Sequence, residues 1–355
     1  MSLPFIDERD ARKRILPVAV FCFLALSAVL SGPAHGREIV DMAGRRVSVP
    51  DTITKVYGAS PPMTYMIYAM APEFLAGLNH PFTPQEAEYL RPEVKNLPVI
   101  GGWFGQGRTP NQETLLQIKP DVMIVWTWGK SAANDKVKQT ASQLGLPLVY
   151  IRIDHLDDYA KAFRFMGTLL NREKRGRMLG DYTEKALKSV DAIVSRIPDI
   201  KRISVYYAEG MDGQSTECDQ SPHAELIPMA GGKNIYRCAP RDGYGMEKIS
   251  IEQVMLVNPE VILAQEKAFA GNVTNDPRWQ SIRAVRNKNI HLIPRLPFNW
   301  FDRPPSFMRI LGIQWLTHSL YPDQYPMDVA AETKTFYKLF LDVELDDASL
   351  DMVLE

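Results

Sequence analysis

The feature that most constrains the fold is a helix–proline–strand pattern that occurs twice. Residues 111–124 read NQETLLQIKPDVMI, and residues 250–263 read SIEQVMLVNPEVIL. Each copy has a polar start, an acidic residue in the first turn, an apolar helical stretch, a proline beside an acidic residue, and an apolar strand. The acidic residue suits the positive end of the helix dipole, and the proline ends the helix before the strand. Two copies predict two similar halves.

The segments around the two copies alternate between strands and helices. Residues 121–126 form a predicted apolar strand of the kind that is buried on both faces of a sheet, and residues 147–151, 202–207 and 261–264 are further predicted strands. This alternation predicts the α/β class, with mostly parallel sheets flanked by helices. The chain is also longer than one core usually supports. We therefore predict an N-terminal lobe over 37–155 (the N-lobe) and a C-terminal lobe with a C-terminal helix over 201–355 (the C-lobe).

The stretch between the two predicted lobes has a different character. Residues 156–196 are charged and free of proline, and their apolar residues recur at helical spacing. Gly176 and Gly180 weaken this pattern without ending it. We predict a single long helix within 156–200 that joins the lobes, with two ordinary surface helices as the alternative.

The N-terminal residues 1–36 form a predicted secretory signal peptide. Arg12, Lys13 and Arg14 precede an apolar run over 15–30, which ends in SGPAHG. We predict cleavage near Gly36 and a periplasmic location. An uncleaved anchor is the alternative, although the run is shorter than the ~20 residues that span a bilayer. Cys22 lies inside the apolar run rather than at the cleavage point, so we expect no lipid anchor.

Removal of this segment leaves two cysteines and a nearly neutral chain. Cys218 and Cys238 are predicted to pair in an oxidising compartment, and two free buried thiols are the alternative. Subtracting the segment's four basic and three acidic residues from 41 and 42 leaves 37 and 39, a net charge of −2. No polyanion-binding surface is indicated, so we exclude nucleic acid as a partner.

Large aromatic residues and arginines concentrate in the segments that follow the predicted strands, where α/β lobes bind ligands. Aromatic rings supply rigid apolar walls, and arginine supplies planar charged donors for anionic oxygens. The candidate ligand-binding residues are Tyr65, Trp103, Phe104, Arg108, Trp126, Trp128, His223, Arg237, Tyr244, Trp300 and Arg303. Core packing is the alternative for each aromatic, and a local pair with Asp302 or a helix-start contact is the alternative for Arg303. The scattered histidines argue against a site for a bare metal ion.

Four segments together resemble the iron-siderophore, haem and cobalamin class of periplasmic binding proteins. The first is the repeated pattern described above. The second is ELIPMAGGKNI over 225–235, which is similar to that family's E-L-I-x-x-A-G-G-x-N segment. The third is DMAGRRVSVP over 41–50, part of a stretch over 38–50 whose alternating residues around an Ala-Gly turn predict a β-hairpin. The fourth is the helix entry over 60–70. The resemblance covers most of residues 37–325.

The resemblance implies two α/β lobes joined by one long rigid helix, with a cleft between them. It also implies a monomer without an intrinsic cofactor that docks onto an ABC permease served by a cytoplasmic ATPase. The family presents one glutamate from each lobe to the permease. Glu225 occupies the C-lobe position, whereas Tyr65 stands where the N-lobe glutamate is usual. Glu73 is the candidate to replace it.

The implied role is capture of a small metal complex. A ferric siderophore is the first expectation, and haem, a corrinoid, a nickel chelate or an oxyanion such as molybdate remain alternatives. An enzyme is not expected, because the chain has no phosphate-binding glycine loop and no G-x-S-x-G turn. An envelope structural factor is a further alternative, and it would have a cleft filled by its own side chains.

Overall fold

The computed structural model describes residues 36–103, 109–127, 132–240 and 243–355. The predicted signal peptide, apart from Gly36, therefore lies outside the described residues. In the described part of the chain, no helix combines the length and apolar character needed to cross a membrane.

The chain alternates strands and helices along most of its length. The strands are β1 Gly36–Val40, β2 Arg46–Pro50, β3 Val56–Gly58, β4 Val122–Thr127, β5 Leu148–Arg152, β6 Ser204–Ala208, β7 Ser215–Thr216, β8 Lys233–Asn234, β9 Glu247–Lys248, β10 Val261–Ala264 and β11 Ile290–Leu292. The helices are α1 Pro61–Met70, α2 Pro84–Glu88, α3 Pro92–Lys95, α4 Gln112–Ile118, α5 Ala132–Gln143, α6 Asp158–Leu169, α7 Glu173–Val194, α8 Leu226–Met229, α9 Ile251–Val257, α10 Lys267–Asn272, α11 Arg283–Arg286, α12 Arg309–Leu320, α13 Val329–Phe336 and α14 Asp347–Leu354. Short 3-10 turns lie at Pro72–Phe74, Asp199–Lys201 and Pro222–Ala224, and a π-helical segment lies at Tyr337–Leu341.

Each lobe contains one parallel sheet, which confirms the predicted α/β class. The N-lobe sheet has the order β3-β4-β5, and the C-lobe sheet has the order β11-β10-β6-β8. Strands β3, β6 and β10 are short and almost wholly buried, as expected for parallel strands covered on both faces, whereas the edge strand β11 is half-buried. The predicted N-terminal hairpin is also present, with Gly36 of β1 opposite Pro50 of β2.

The two copies of the repeated sequence pattern form equivalent elements. Asn111 caps α4 by accepting from the backbone N–H groups of Glu113 and Thr114, and Ser250 caps α9 in a capping box with Gln253. Both helices end on a residue with left-handed backbone, at φ 48° and φ 51°, before the proline and the strand. The repeat therefore encodes one helix–strand unit in each lobe.

The predicted single helix over 156–200 is corrected to two helices. The chain reverses between α6 and α7 at Asn171, whose backbone is left-handed at φ 54°; asparagine adopts this conformation more readily than most residues. Gly176 lets the two helices pack closely, because a Cβ there would lie 2.5 Å from the Phe163 carbonyl oxygen. The 22-residue α7 packs on α6 of the N-lobe side and on α12 of the C-lobe.

One hydrophobic core runs through both lobes. It includes β3 and α1 of the N-lobe, α6 and α7, and α12 of the C-lobe, and it continues into α13 and α14. Tyr65 of α1 stacks on Phe298 of the C-lobe, and the Tyr68 hydroxyl donates to the Leu341 carbonyl oxygen at 2.9 Å. The C-terminal segment thus seals the junction between the lobes.

Candidate functional site

The strand ends of the C-lobe gather three acidic residues around one arginine. Glu209 directly follows β6, and Glu217 directly follows β7. Asp302 and Arg303 lie in the loop between β11 and α12. The carboxyl edge of a parallel sheet is where α/β proteins bind ligands. We call these four residues, together with His223, the C-lobe cluster.

Arg303 lies at the centre of the C-lobe cluster. Its Nε donates to Glu209 Oε1 at 2.5 Å, and its Nη2 donates to Glu217 Oε1. Both glutamate side chains are fully buried, whereas that of Arg303 is 24% exposed. Its Nη1 makes no hydrogen bond to any residue that the structure describes. The two glutamates therefore fix the guanidinium in place, and its Nη1 donors remain available to bind a ligand.

His223 forms the second cationic position of the C-lobe cluster. Its Nδ1 lies 2.6 Å from Asp302 Oδ2, and the imidazole is largely buried. Burial lowers the pKa of the imidazole, but the hydrogen bond and charge of Asp302 and the charge of Glu209 outweigh burial, so the pKa is raised. His223 is thus disposed to carry a positive charge beside Arg303.

Glu209 is the most isolated carboxylate of the C-lobe cluster. Its side chain is fully buried, and its Oε2 makes no hydrogen bond within the described residues. The Tyr207 hydroxyl, two residues earlier, donates to Gln265 Oε1 at 3.0 Å. Burial raises the pKa of Glu209 in spite of the opposing effect of Arg303.

Glu225 joins the two lobes. Its Oε2 accepts from Arg309 Nη2 at 2.8 Å, and its Oε1 accepts from the Leu156 backbone N–H at 3.2 Å and lies 3.1 Å from His155 Nδ1. The side chain is only 13% exposed. Both oxygens of the predicted permease contact are therefore engaged within the protein, whereas Glu73 is exposed and 3.3 Å from Arg172.

One buried amide of the N-lobe, that of Asn79, connects three segments. Its buried Nδ2 donates to the Gly58 carbonyl oxygen at 2.9 Å and to the Gly101 carbonyl oxygen at 2.8 Å, and its Oδ1 accepts from Thr64 Oγ1 at 2.6 Å. One amide thus fixes the end of β3, the first turn of α1 and the segment that leads to Trp103.

Five predicted ligand residues are half-buried in or near loops of the two lobes. Trp103 and Trp126 are half-buried on the N-lobe side, and Trp126 Nε1 donates to the Ile153 carbonyl oxygen at 3.0 Å. His223 and Arg303 lie on the C-lobe side, and Tyr244 is half-buried in the segment before β9. The predicted residues Phe104, Arg108 and Trp128 lie outside the described residues.

Three predicted ligand residues lie elsewhere. Tyr65 and Trp300 are core residues, because Tyr65 stacks on Phe298 and the fully buried Trp300 packs edge-on against Trp315. Arg237 is exposed beside β8, in a groove of about 390 Å³ that it shares with residues preceding β6.

Cys218 and Cys238 form the predicted disulfide, with Cα atoms 5.7 Å apart. Cys218 follows Glu217, so the bond anchors the segment that carries the carboxylate bound to Arg303. Asp219 adds to this anchor, because its Oδ1 accepts from the Cys238 N–H at 3.2 Å. Within the described residues, the one group of three possible metal donors is these two cysteines and Asp219, and the disulfide already uses both sulfurs.

Sequence reasoning missed Glu209, Glu217 and Asn79. Glu209 could have been predicted as a site residue, because it directly follows an apolar strand. The roles of Glu217 and Asn79 could not be predicted, because they depend on contacts with Arg303 and with Gly101, which are distant in sequence.

Comparison with known proteins identifies binding proteins as relatives over nearly the whole chain. Residues 98–296 match the family described as periplasmic binding protein. An ABC transporter solute binding protein from Sulfurospirillum deleyianum is 37% identical, with a TM-score of 0.83, covering 89% of this chain and 98% of that one. A molybdate-binding protein of Haemophilus influenzae is 24% identical over 92% of this chain and 96% of its own length. A vitamin B12-binding protein of Vibrio campbellii is 23% identical over 60% of this chain and 72% of its own length.

Proposed function

This chain belongs to the periplasmic binding protein family and is the substrate-binding component of an ABC importer, and we propose that its cargo is an anionic metal complex. A ferric siderophore or a similar chelate is the first candidate. The cargo would occupy the cleft at the C-lobe cluster and pass from there to the membrane permease.

The observation that carries this proposal is the geometry of Arg303. Two buried carboxylates fix the guanidinium, and its Nη1 donors remain available at the carboxyl edge of the sheet. A planar, permanently charged donor group held in place suits carboxylate, catecholate or metal-oxyanion oxygens. His223 adds a second positive charge beside it. Trp103 and Trp126 are half-buried, and their exposed parts would contact an apolar face of the cargo.

An oxyanion such as molybdate is the second candidate. A molybdate-binding protein of Haemophilus influenzae matches 92% of this chain and 96% of its own length. A small tetrahedral anion also needs no extended aromatic wall, and Tyr65 and Trp300 do not provide one here. Haem, a corrinoid and a nickel chelate remain further candidates for the cargo.

Binding measurements with purified protein test the cargo class. We expect calorimetry and tryptophan fluorescence to detect molybdate or a ferric catecholate, but not an uncharged complex of similar size. Arg303→Lys keeps a charge for Glu209 and Glu217 but loses the planar fork, so affinity should fall roughly 10- to 100-fold. Arg283→Lys is the control, since Arg283 pairs with Glu260 at the opposite edge of the sheet. Tight binding of an uncharged complex with no effect of Arg303→Lys would reject an anionic cargo.

We also propose export to the periplasm through removal of residues 1–36. The basic residues, apolar run and small residues of this segment support the proposal. Mass spectrometry of protein isolated from cells should give a mature chain that begins near Arg37. A retained N-terminus, or a lipid attached to Cys22, would contradict it.

Docking on the permease is proposed to involve Glu73 and Glu225. Glu73 is the more accessible, because its side chain is 46% exposed and its pair with Arg172 is a surface contact. For Glu225 to reach a permease arginine, its bonds to His155 and Leu156 would have to open. Glu73→Lys should weaken binding to the reconstituted permease while leaving cargo affinity unchanged. Unaltered permease binding by both Glu73→Lys and Glu225→Lys would exclude these contacts.

A further inference from the structure

The C-lobe cluster contains more negative than positive charge. Glu209, Glu217 and Asp302 are three carboxylates, against the guanidinium of Arg303 and a protonated His223. The nearby Arg309 is balanced by Glu225. With every group ionised, the cluster therefore has a net charge of −1. An anion placed against Arg303 would be repelled by three largely buried carboxylates at short range, where solvent screening is weak.

We infer that the site binds its anion together with one proton, and that Glu209 is the residue that takes the proton. This inference rests on the proposed anionic cargo and adds a specificity-determining residue to it. Protonation of one carboxylate as the anion binds makes the cluster neutral. With Glu209 neutral, fewer carboxylates compensate the charge of Arg303. The guanidinium then interacts more strongly with the anionic cargo.

The hydrogen bonds distinguish Glu209 from the other two carboxylates. Glu217 Oε2 accepts from Ser221 Oγ at 2.7 Å, and Asp302 Oδ2 is 2.6 Å from His223 Nδ1. Glu209 Oε2 is buried with no partner at hydrogen-bond distance among the described residues, because the neighbouring Tyr207 hydroxyl donates its proton to Gln265 Oε1. A buried carboxylate oxygen with no donor is the costliest of the three to keep charged. Protonation of Glu209 therefore disturbs the fewest existing bonds.

The groups that face Glu209 come from several elements. They are Tyr207 on β6, Gln265 after β10, Glu217 after β7, His223 in the 3-10 turn, and Asp302 and Arg303 in the loop after β11. Burial and the charge of Glu209 raise the pKa of Tyr207, so that phenol stays neutral. Burial also raises the pKa of Glu209, as the proposal requires. Besides Glu209, His223 is the group whose titration could contribute in the same pH range.

A bound anion raises the pKa of Glu209 further, because it adds negative charge near the carboxylate and takes over part of the interaction between Arg303 and Glu209. Binding then takes up a proton, and affinity rises as the pH falls. For full uptake of one proton, the dissociation constant changes by up to about tenfold per pH unit.

Calorimetry of cargo binding in two buffers of different ionisation enthalpy counts the proton directly. The probes are molybdate and a ferric catecholate, titrated into the full mature chain between about pH 6 and pH 8, the range in which His223 also titrates. We expect uptake approaching one proton in the wild type and almost none in Glu209→Gln. Glu266→Gln is the matched control, because this glutamate follows β10 but pairs with Arg295. His223→Gln separates the two titrating groups and should retain most of the uptake.

Each outcome bears on a different statement. Equal proton uptake by the wild type and Glu209→Gln, or uptake abolished only in His223→Gln, overturns the assignment to Glu209. Binding of a probe with no proton uptake overturns the proton coupling and leaves the anionic cargo intact. Binding of neither probe overturns the anionic cargo and this inference with it. Circular dichroism of each variant verifies that the fold is retained.

Discussion

The rings of Tyr65 and Phe298 stack across the junction of the two lobes, with centroids 3.8 Å apart and planes inclined by 20°. Tyr65 belongs to the first helix of the N-lobe, and Phe298 belongs to the loop that also carries Arg303. Tyr65 is thus part of the core that joins the two lobes.

Tyr65→Ala should destabilise the protein by about 3–5 kcal/mol, because it removes a buried ring and leaves a cavity between the lobes. Tyr65→Phe should stay near the wild type, since the contacts of this residue within the described part of the chain are made by its ring. Urea denaturation measures both free energies of unfolding. A similar loss in the two variants would assign the effect to the hydroxyl rather than to the stack.

Replacement of both Cys218 and Cys238 by serine should lower the free energy of unfolding by roughly 3 kcal/mol, because the loop that the disulfide closes gains entropy in the unfolded chain. Cargo affinity should fall as well, since Glu217 lies beside Cys218 and orients Arg303. Denaturation and calorimetry on the same double variant test both effects. Unchanged affinity at reduced stability would show that the disulfide has no role in orienting Arg303.

His223→Gln should alter how stability depends on pH. In the unfolded chain the imidazole titrates near its ordinary pKa of about 6.5, whereas in the folded protein its pKa is higher. The folded state therefore binds the proton more tightly. This contribution is fully present below the unfolded pKa and is lost as the pH rises through the folded pKa.

The wild type should thus exceed His223→Gln in thermal stability by most at about pH 5.5, and the difference should shrink towards about pH 8. His80→Gln serves as a comparison, because His80 lies at the N-lobe aromatic group rather than beside a carboxylate. A constant difference across this range would indicate a packing effect instead.

Gly176→Ala should destabilise the protein by about 1–3 kcal/mol, because the added methyl would overlap the Phe163 carbonyl oxygen between α6 and α7. Gly271→Ala is the matched control, since a methyl added to this helical glycine would have no neighbouring atom within 4 Å. Alanine has the higher helix propensity, so the control should be neutral or slightly stabilised. Equal thermal shifts in the two variants would contradict close packing at Gly176.

The sequence was sufficient for those features that depend on local pattern. The repeated helix–proline–strand unit, the N-terminal hairpin and the parallel strands all follow from residue spacing, and the structure contains each of them. The division of residues 156–200 into two helices was not predictable in the same way. It depends on one left-handed residue, Asn171, and on the close approach of Gly176 to α6, neither of which interrupts the apolar periodicity.

The candidate site was predictable only in part, for a related reason. Arg303 and His223 were found because strand-end loops gather ligand groups. Their carboxylate partners come from other loops, and no spacing rule connects Glu217 to Arg303. Tyr65 and Trp300 were assigned to the cleft because aromatic residues at strand ends serve binding and packing equally well. Burial decides between the two, and burial depends on how the lobes meet.

The hydrophobic core that extends through both lobes limits how the permease can recognise a loaded binding protein. Lobes separated by a flexible hinge can report their cargo through a change of shape. Here α7, α12 and the C-terminal helices pack into the same apolar interior, so the empty and loaded forms should have nearly the same outline. The difference between them must then be carried by charge, in the side chains around the cleft. The importer would distinguish a loaded binding protein from an empty one by its surface charge rather than by its shape.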